Sequence, residues 1–290
     1  MKIGILALLA NPYATPEFIR DLGEAAELRG IHSLWVAEHV VLFDEYASKY
    51  PYNADGRLRG RADTGPLEPF AALAFLAAAT RRLRLGTGIC LVPQRNPVYT
   101  AKHVASVDWL SNGRVDFGIG VGWLAEEFAV LGIPFERRGA RCRAYIEVMK
   151  RLWCDEVSEY EGDFYSLPRC RQYPKPVQRP HPPIHVGGES DAALKRVASF
   201  GQGWFGFNIT PEAVTERLGV LDRLLAARGR RRQDVAISVS PPVKTPVELD
   251  LVRRFRDAGA DQVVGVLRAY ERDQVHSALD GLANGVLAKL

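Results

Sequence analysis

Residues 3–30 read IGILALLANPYATPEFIRDLGEAAELRG, and this stretch contains the unit from which the rest of the chain is built. Its first six residues are an almost unbroken apolar run, as expected for a parallel strand covered on both faces. Asn11-Pro12 interrupts the run. Thr15-Pro16-Glu17 then supplies an N-cap, a proline at the first helical position and an early acidic residue. Phe18, Leu22 and Ala25 form an apolar stripe at helical spacing, and Gly30 ends the helix. The unit is a buried strand followed by a capped helix.

Outward from this unit the same rhythm recurs. Residues 33–36 read as a second strand, 69–79 as an alanine-rich helix and 83–91 as a third strand. Asn96-Pro97 opens a helix with Val98, Ala101, Ala105 and Trp109 on one face, Asn112-Gly113 closes it, and 115–120 is the fourth strand. Residues 184–186 lead into a helix at 191–200, and 203–207 form the sixth strand. Thr210-Pro211-Glu212 starts a helix ending near Arg228-Gly229. Residues 235–239 are the seventh strand, Thr245-Pro246-Val247-Glu248 has capping-box spacing, and 262–267 are the eighth strand. Eight strands, each followed by a helix, predict an α/β fold, a (β/α)8 TIM barrel, over a doubly wound open sheet. A barrel typically takes about 250 residues, so residues 1–290 read as one domain.

Two connections are too long to be turns. Residues 43–68, after strand two, are rich in Tyr, Pro, Asp and Arg; residues 156–183, before strand five, hold six prolines. Insertions of this size in a compact barrel are lids or binding loops.

Composition sets the outer bounds. At 47% hydrophobic and 25% charged residues the chain can fill a core. Its net charge of +4 comes with dispersed arginines, not the basic stripe of a nucleic-acid binder. Cys90, Cys142, Cys154 and Cys170 lie at wide spacings without a CxxC, which points to neither a zinc site nor a disulfide scaffold. Residues 2–10 carry one positive charge and no small-residue cleavage pattern, so they read as a strand and not as a signal peptide. The apolar run 70–79 falls well short of the roughly 20 residues that span a bilayer. A soluble, cytoplasmic protein with a small-molecule substrate, and with neither nucleic acid nor membrane as partner, is expected.

Barrel active sites form where strands end, and the residues at those points can be read directly. Strand two ends in Glu38-His39, strand three in Gly86-Thr87-Gly88-Ile89, strand four in Gly118-Ile119-Gly120-Val121-Gly122 and strand five in Gly187-Gly188-Glu189-Ser190. Glycines at three consecutive strand ends suit a flat ring or a phosphate brought against bare backbone. Ser190 is the expected N-cap of the following helix, whose free N–H groups would face an anion; a plain tight turn explains the same string. Gly118 to Gly122 is not the dinucleotide fingerprint, because its third glycine comes one place early. His39 can act as a proton donor or can be structural. Glu38 could orient it or serve another role, although neighbours on a strand point to opposite faces and both need not reach the cavity. His181 and His185 have no third ligand near them in sequence, which argues against a metal site. Trp35, Trp109 and Trp153 sit at element positions where core packing is the default.

Taken together, Trp35-Val36-Ala37-Glu38-His39, Leu85-Gly86-Thr87-Gly88-Ile89, Gly118 to Trp123 followed by Glu126-Glu127-Phe128, Pro174-Lys175-Pro176-Val177-Gln178 and Pro183 to Gly188 resemble the luciferase-like monooxygenase family. The resemblance covers nearly the whole chain and is closest to the coenzyme F420-dependent oxidoreductases. It implies a bulge, often with a cis non-proline peptide, at Thr87-Gly88-Ile89 that props a flavin or deazaflavin ring. It places His39 near the reactive centre, with Glu38 beside it, and lays Gly120 and Gly122 against the cofactor. It puts the phosphate at Gly187, Gly188, Glu189, Ser190 and Arg138. The implied reaction is hydride transfer from reduced F420, or oxygen chemistry with reduced FMN as the alternative; dimers are common among similar proteins. Two further readings stay open: a non-redox barrel enzyme acting on a phosphorylated substrate, and a non-catalytic flavin-binding protein. F420 carries a polyanionic tail. Lys49, Arg57, Arg59 and Arg61 in the first insertion, and Arg169, Arg171, Lys175 and Arg179 in the second, are expected to flank the mouth and meet it, although solvated loop charges would look the same.

Overall fold

The computed structural model describes residues 1–58 and 63–290; Arg59 and Arg61, two of the expected tail contacts, lie outside the described residues. The strands are β1 (Lys2–Ala7), β2 (Ser33–Val36), β3 (Arg84–Thr87), β4 (Cys90–Leu91), β5 (Val115–Gly120), β6 (Ser158–Gly162), β7 (Tyr165–Cys170), β8 (Ile184–Gly187), β9 (Gly203–Gly206), β10 (Ala236–Val239) and β11 (Gln262–Leu267). The helices are α1 (Pro16–Leu28), α2 (Pro69–Ala79), α3 (Pro97–Leu110), α4 (Ala125–Val130), α5 (Arg138–Cys154), α6 (Asp191–Phe200), α7 (Pro211–Ala226), α8 (Leu249–Asp257) and α9 (Arg272–Gly285). Parallel pairing runs β3-β2-β1-β11-β10-β9-β8-β5, and β3 pairs with β5 to close the ring. The fold is the expected eight-stranded parallel barrel, with β4 as the upper part of strand three. Among the described residues no helix is long and apolar enough to cross a membrane.

Local chemistry explains most element boundaries. Thr15, Asn96, Ser190 and Thr210 each accept a hydrogen bond from a backbone N–H in the first turn of the helix they cap. Thr245 does not do this. Its N–H bonds the Pro242 carbonyl in a turn, and α8 begins only at Leu249, after Glu248. Strand three is not continuous over 83–91 either. Gly86 and Cys90 are four residues apart, but their partners Asp116 and Ile119 on β5 are three apart, so the strand carries one extra residue. The Gly88–Ile89 peptide in that bulge is cis. Trp109 is 59% exposed, because α3 buries the face bearing Ala101, Val104, Ala105 and Asp108 instead.

The barrel interior is layered. At the amino-terminal end the inward side chains are polar: Ser33, Arg84, Asp116, His185, Ser238 and Gln262. Above them Leu6, Trp35, Phe205 and Val264 form an apolar plug, with Phe207 and Val266 packed on it. Gly118 leaves room for the Trp35 ring and for the Thr87 carbonyl, which a Cβ at 118 would strike. The carboxyl-terminal end above this plug is the mouth.

The two insertions lie on different parts of the barrel. Residues 43–58 arch over the mouth. The second insertion follows α5 and forms the β6–β7 hairpin along its outer side, with the tip residue Phe164 under the guanidinium of Arg137. Its return leg runs down α3, Gln172 bonding the Val98 carbonyl and Gln178 reaching Asp108. The basic residues of this insertion therefore do not flank the mouth, which corrects the sequence expectation. Lys175 donates to the carbonyls of Leu152 and Asp155 at the end of α5, and Arg171 pairs with Glu156.

Candidate active site

His39 lies three residues beyond the end of β2, on the rim of the mouth. Its Nδ1 is 3.3 Å from Oε2 of Glu127, on α4 past the end of β5. A carboxylate only accepts, so Nδ1 is the protonated nitrogen and Nε2 is left open. Glu127 is fully buried and also accepts from Gln94 Nε2 (3.0 Å) and from the Val40 N–H (2.7 Å). Burial alone would raise its pKa, but the His39 ring, Gln94 and the Val40 N–H outweigh burial and hold the carboxyl below its ordinary value. Sequence reasoning missed Glu127 and Gln94 as partners of His39. The only available signal was the acidic pair Glu126-Glu127 shortly after a strand end.

Glu38 turns away from His39. Its Oε2 accepts from the Leu91 N–H (2.6 Å), and its Oε1 accepts from Arg95 Nε (2.6 Å), with Arg95 also paired to Glu68. Both oxygens thus pin the chain just beyond the bulge. Thr87 is buried with its hydroxyl donating to the Gly118 carbonyl (2.6 Å), and Gly88 and Ile89 are half-buried facing the mouth. A Cβ at Gly120 or Gly187 would meet the Ile89 side chain, so those two glycines make room for Ile89. Gly122 and Gly188 have φ of +79° and +104° and turn the chain out of β5 and β8.

Arg138 and Ser190 lie past the ends of β5 and β8, which pair with each other. Arg138 Nε donates to the Gly122 carbonyl (3.0 Å), and its guanidinium lies 3.9 Å from the Phe135 ring centroid. Half-buried and lowered in pKa by that burial, it has no carboxylate partner among the described residues. Ser190 Oγ accepts from the Ala193 N–H, which leaves its own proton free to donate. An unpaired guanidinium and a capped helix start on adjacent strands suit an anionic group. Glu189 is drawn into other contacts. It accepts from the Phe207 N–H (2.7 Å) and the Tyr52 hydroxyl (3.1 Å), and burial raises its pKa.

Tyr52 belongs to the first insertion, which is fastened over the mouth at two further points. Glu126 Oε1 accepts from the Ala47 and Ser48 N–H groups, and Ser48 Oγ accepts from the Ala125 N–H. Beneath the arch Trp123 meets Tyr46 and Tyr50 edge-on, at 5.7 and 5.1 Å between centroids. Arg57 is drawn back onto Tyr46, whereas Lys49 is exposed. A cavity of about 300 Å3 opens beside His39, between residues 40–42 and 63–66.

The parallel barrel with a bulged third strand, and with a histidine paired to a buried carboxylate on its rim, has known relatives. The luciferase-like monooxygenase family matches residues 1–254, and the chain belongs to it. An uncharacterized protein of Mycobacterium tuberculosis (strain ATCC 25618 / H37Rv) is 31% identical over 288 residues, 98% of each chain. The oxygenase component of a flavin-dependent trigonelline monooxygenase from Acinetobacter baylyi is 32% identical over 168 residues, 57% of this chain and 41% of that protein. The coenzyme F420-dependent tetrahydromethanopterin reductase of Methanopyrus kandleri superposes with a TM-score of 0.77 at 17% identity, covering 99% of both chains.

Proposed function

We propose that this chain is an oxidoreductase using reduced coenzyme F420 for hydride transfer to or from a small organic substrate. The observation that carries the reading is the His39–Glu127 pair on the rim, contributed from beyond the two strands that flank the glycine-bordered bulge at Gly88–Ile89. Arg138, Ser190 and the turn at Gly188 would hold the phosphate, and Gly88 and Ile89 would support the ring. When bound, the reduced deazaflavin supplies the hydride. His39 passes a proton through Nε2 while Glu127 keeps the ring oriented, and the arch of residues 43–58 excludes water. The F420-dependent reductase shares this fold over 99% of both chains, which is compatible with this cofactor.

A second reading, an FMN-dependent monooxygenase, is favoured by two observations. The flavin-dependent relative is the more similar in sequence over its matched region, and the second insertion's basic residues stand outside the mouth. Titrating the protein with F420 and with FMN at low and moderate salt tests the choice. The F420 reading expects tighter, salt-sensitive F420 binding and anaerobic turnover with it. Tighter FMN binding with oxygen-dependent turnover overturns it in favour of FMN.

A further inference from the structure

The mouth has two unlike halves. Along β3, β5 and β8 it carries the glycines, Ile89 and the candidate cofactor residues. Along β10, β11, β1 and β2, also consecutive around the barrel, the segments leaving the strands expose large apolar side chains. Val243, Tyr270, Leu8, Tyr13, Val40 and Leu42 are each 38–53% exposed. Isolated apolar residues on a surface need no explanation, but a contiguous set marks a binding site. Tyr13 and Tyr270 are in ring contact at 5.0 Å. Leu8 continues the inward register of Gly4 and Leu6, so it stands above the apolar plug on which Phe207 and Val266 also pack. Val40 and Leu42 line the His39 cavity, which makes the apolar arc continuous with the candidate proton donor.

A cation stands in the inward register of this arc. Gln262, Val264 and Val266 face the barrel interior from β11, and Arg268 is next in that register, one residue past the strand end. It is exposed and makes no ion pair or hydrogen bond among the described residues. We propose that the β10–β11–β1–β2 arc is the substrate seat and that it takes a small molecule with an apolar ring body and one acidic group. The body lies on Leu8, Tyr13 and Tyr270, its acidic group reaches Arg268, and its reactive end faces His39. This rests on the mouth being the active site, but the arc binds its ligand whether or not the cofactor is F420.

Two dyes with the same arylamine body separate the elements of the proposal: anilinonaphthalene sulfonate, which is anionic, and N-phenyl-1-naphthylamine, which is neutral. The full chain is titrated with each by fluorescence, alone and with saturating oxidised F420 or FMN. The expected result is binding of one sulfonate dye per chain, about ten-fold tighter than the neutral dye and retained when cofactor is present. Arg268→Gln should abolish that preference, and Leu8→Asp should weaken both dyes by about ten-fold or more while leaving cofactor binding unchanged. Equal affinity for the two dyes, or a preference that survives Arg268→Gln, overturns the acidic group. Dye binding indifferent to Leu8→Asp, or lost on adding cofactor, overturns the arc as the seat. Failure of the wild-type chain to bind either cofactor sinks the oxidoreductase reading separately, because the dye titrations do not depend on it.

Discussion

The imidazole of His39 owes its orientation to a carboxylate from the far side of strand three, a dependence that sequence order hides. His39→Ala is expected to lower turnover about 100-fold, the scale of a lost general acid, with cofactor affinity within a few-fold. Steady-state rates at saturating substrate check this, and unchanged rates would reassign His39 to structure. Glu127→Gln adds a pH signature. Folding lowers the Glu127 pKa below 4.5, so near that pH the folded chain binds fewer protons than the unfolded one. Its contribution to stability is complete above about pH 4.5 and fades as the pH falls below it. The Tm difference between wild type and Glu127→Gln should therefore narrow in acid. His39 was legible because a histidine at a strand end is conspicuous. Glu38 does not orient His39, which corrects the sequence expectation: its carboxylate is turned to Leu91 and Arg95, and Glu127 takes that place. Glu127 was not legible, because no local pattern says which strand end its helix will meet.

At the scale of elements, the arch over the mouth depends on a single carboxylate for one of its fastenings. The Ser48 contact, with the Ala47 and Ser48 N–H groups, holds the Glu126 pKa down to about 2, so at neutral pH the fastening is fully charged. Glu126→Gln should speed amide exchange at Ala47 and Ser48 by about ten-fold or more at pH 6 while core strands keep their protection, as measured by hydrogen exchange. Uniform exchange in both proteins would mean that Tyr52 and the aromatic contacts hold the arch unaided. Both insertions were legible from their length. Their sides of the barrel follow from topology: a strand-to-helix connection lies at the mouth, and a helix-to-strand connection returns to the opposite end. The charges of the second insertion were misread because capping the end of α5 and pairing with Glu156 leave no trace in sequence.

For the whole molecule, the end opposite the mouth carries its own ionic core. Arg84 grips Asp116 through two nitrogens, at 2.8 and 2.5 Å, and His185 stands 3.6 Å from the same carboxylate. Burial opposes the charge, but His185 and Arg84 hold the Asp116 carboxyl well below the usual carboxylate range. Asp116→Asn leaves Arg84 without its partner and should cost about 2–3 kcal/mol in urea unfolding, allowing for the partial exposure of Arg84. Cofactor binding at the other end should be unaffected. This stability is present above about pH 4 and lost only in strong acid, since the folded pKa is the lower one. The eight strands were legible because parallel strands covered on both faces are nearly continuous apolar runs. The polar base was not, because Asp116 and His185 each appear alone in such a run and meet only through the pairing of β5 with β8.

The crowding of Gly118 by the Thr87 carbonyl makes one position a gauge of the mouth's shape. A Cβ at 118 would strike that oxygen and press on the Trp35 ring, so any side chain there forces strand three and the ring beneath the mouth to move. A Gly118→Ala chain that still folds should therefore carry a displaced Thr87 carbonyl and a disturbed Thr87–Gly118 hydrogen bond, a change at the floor of the mouth that leaves every rim residue in place.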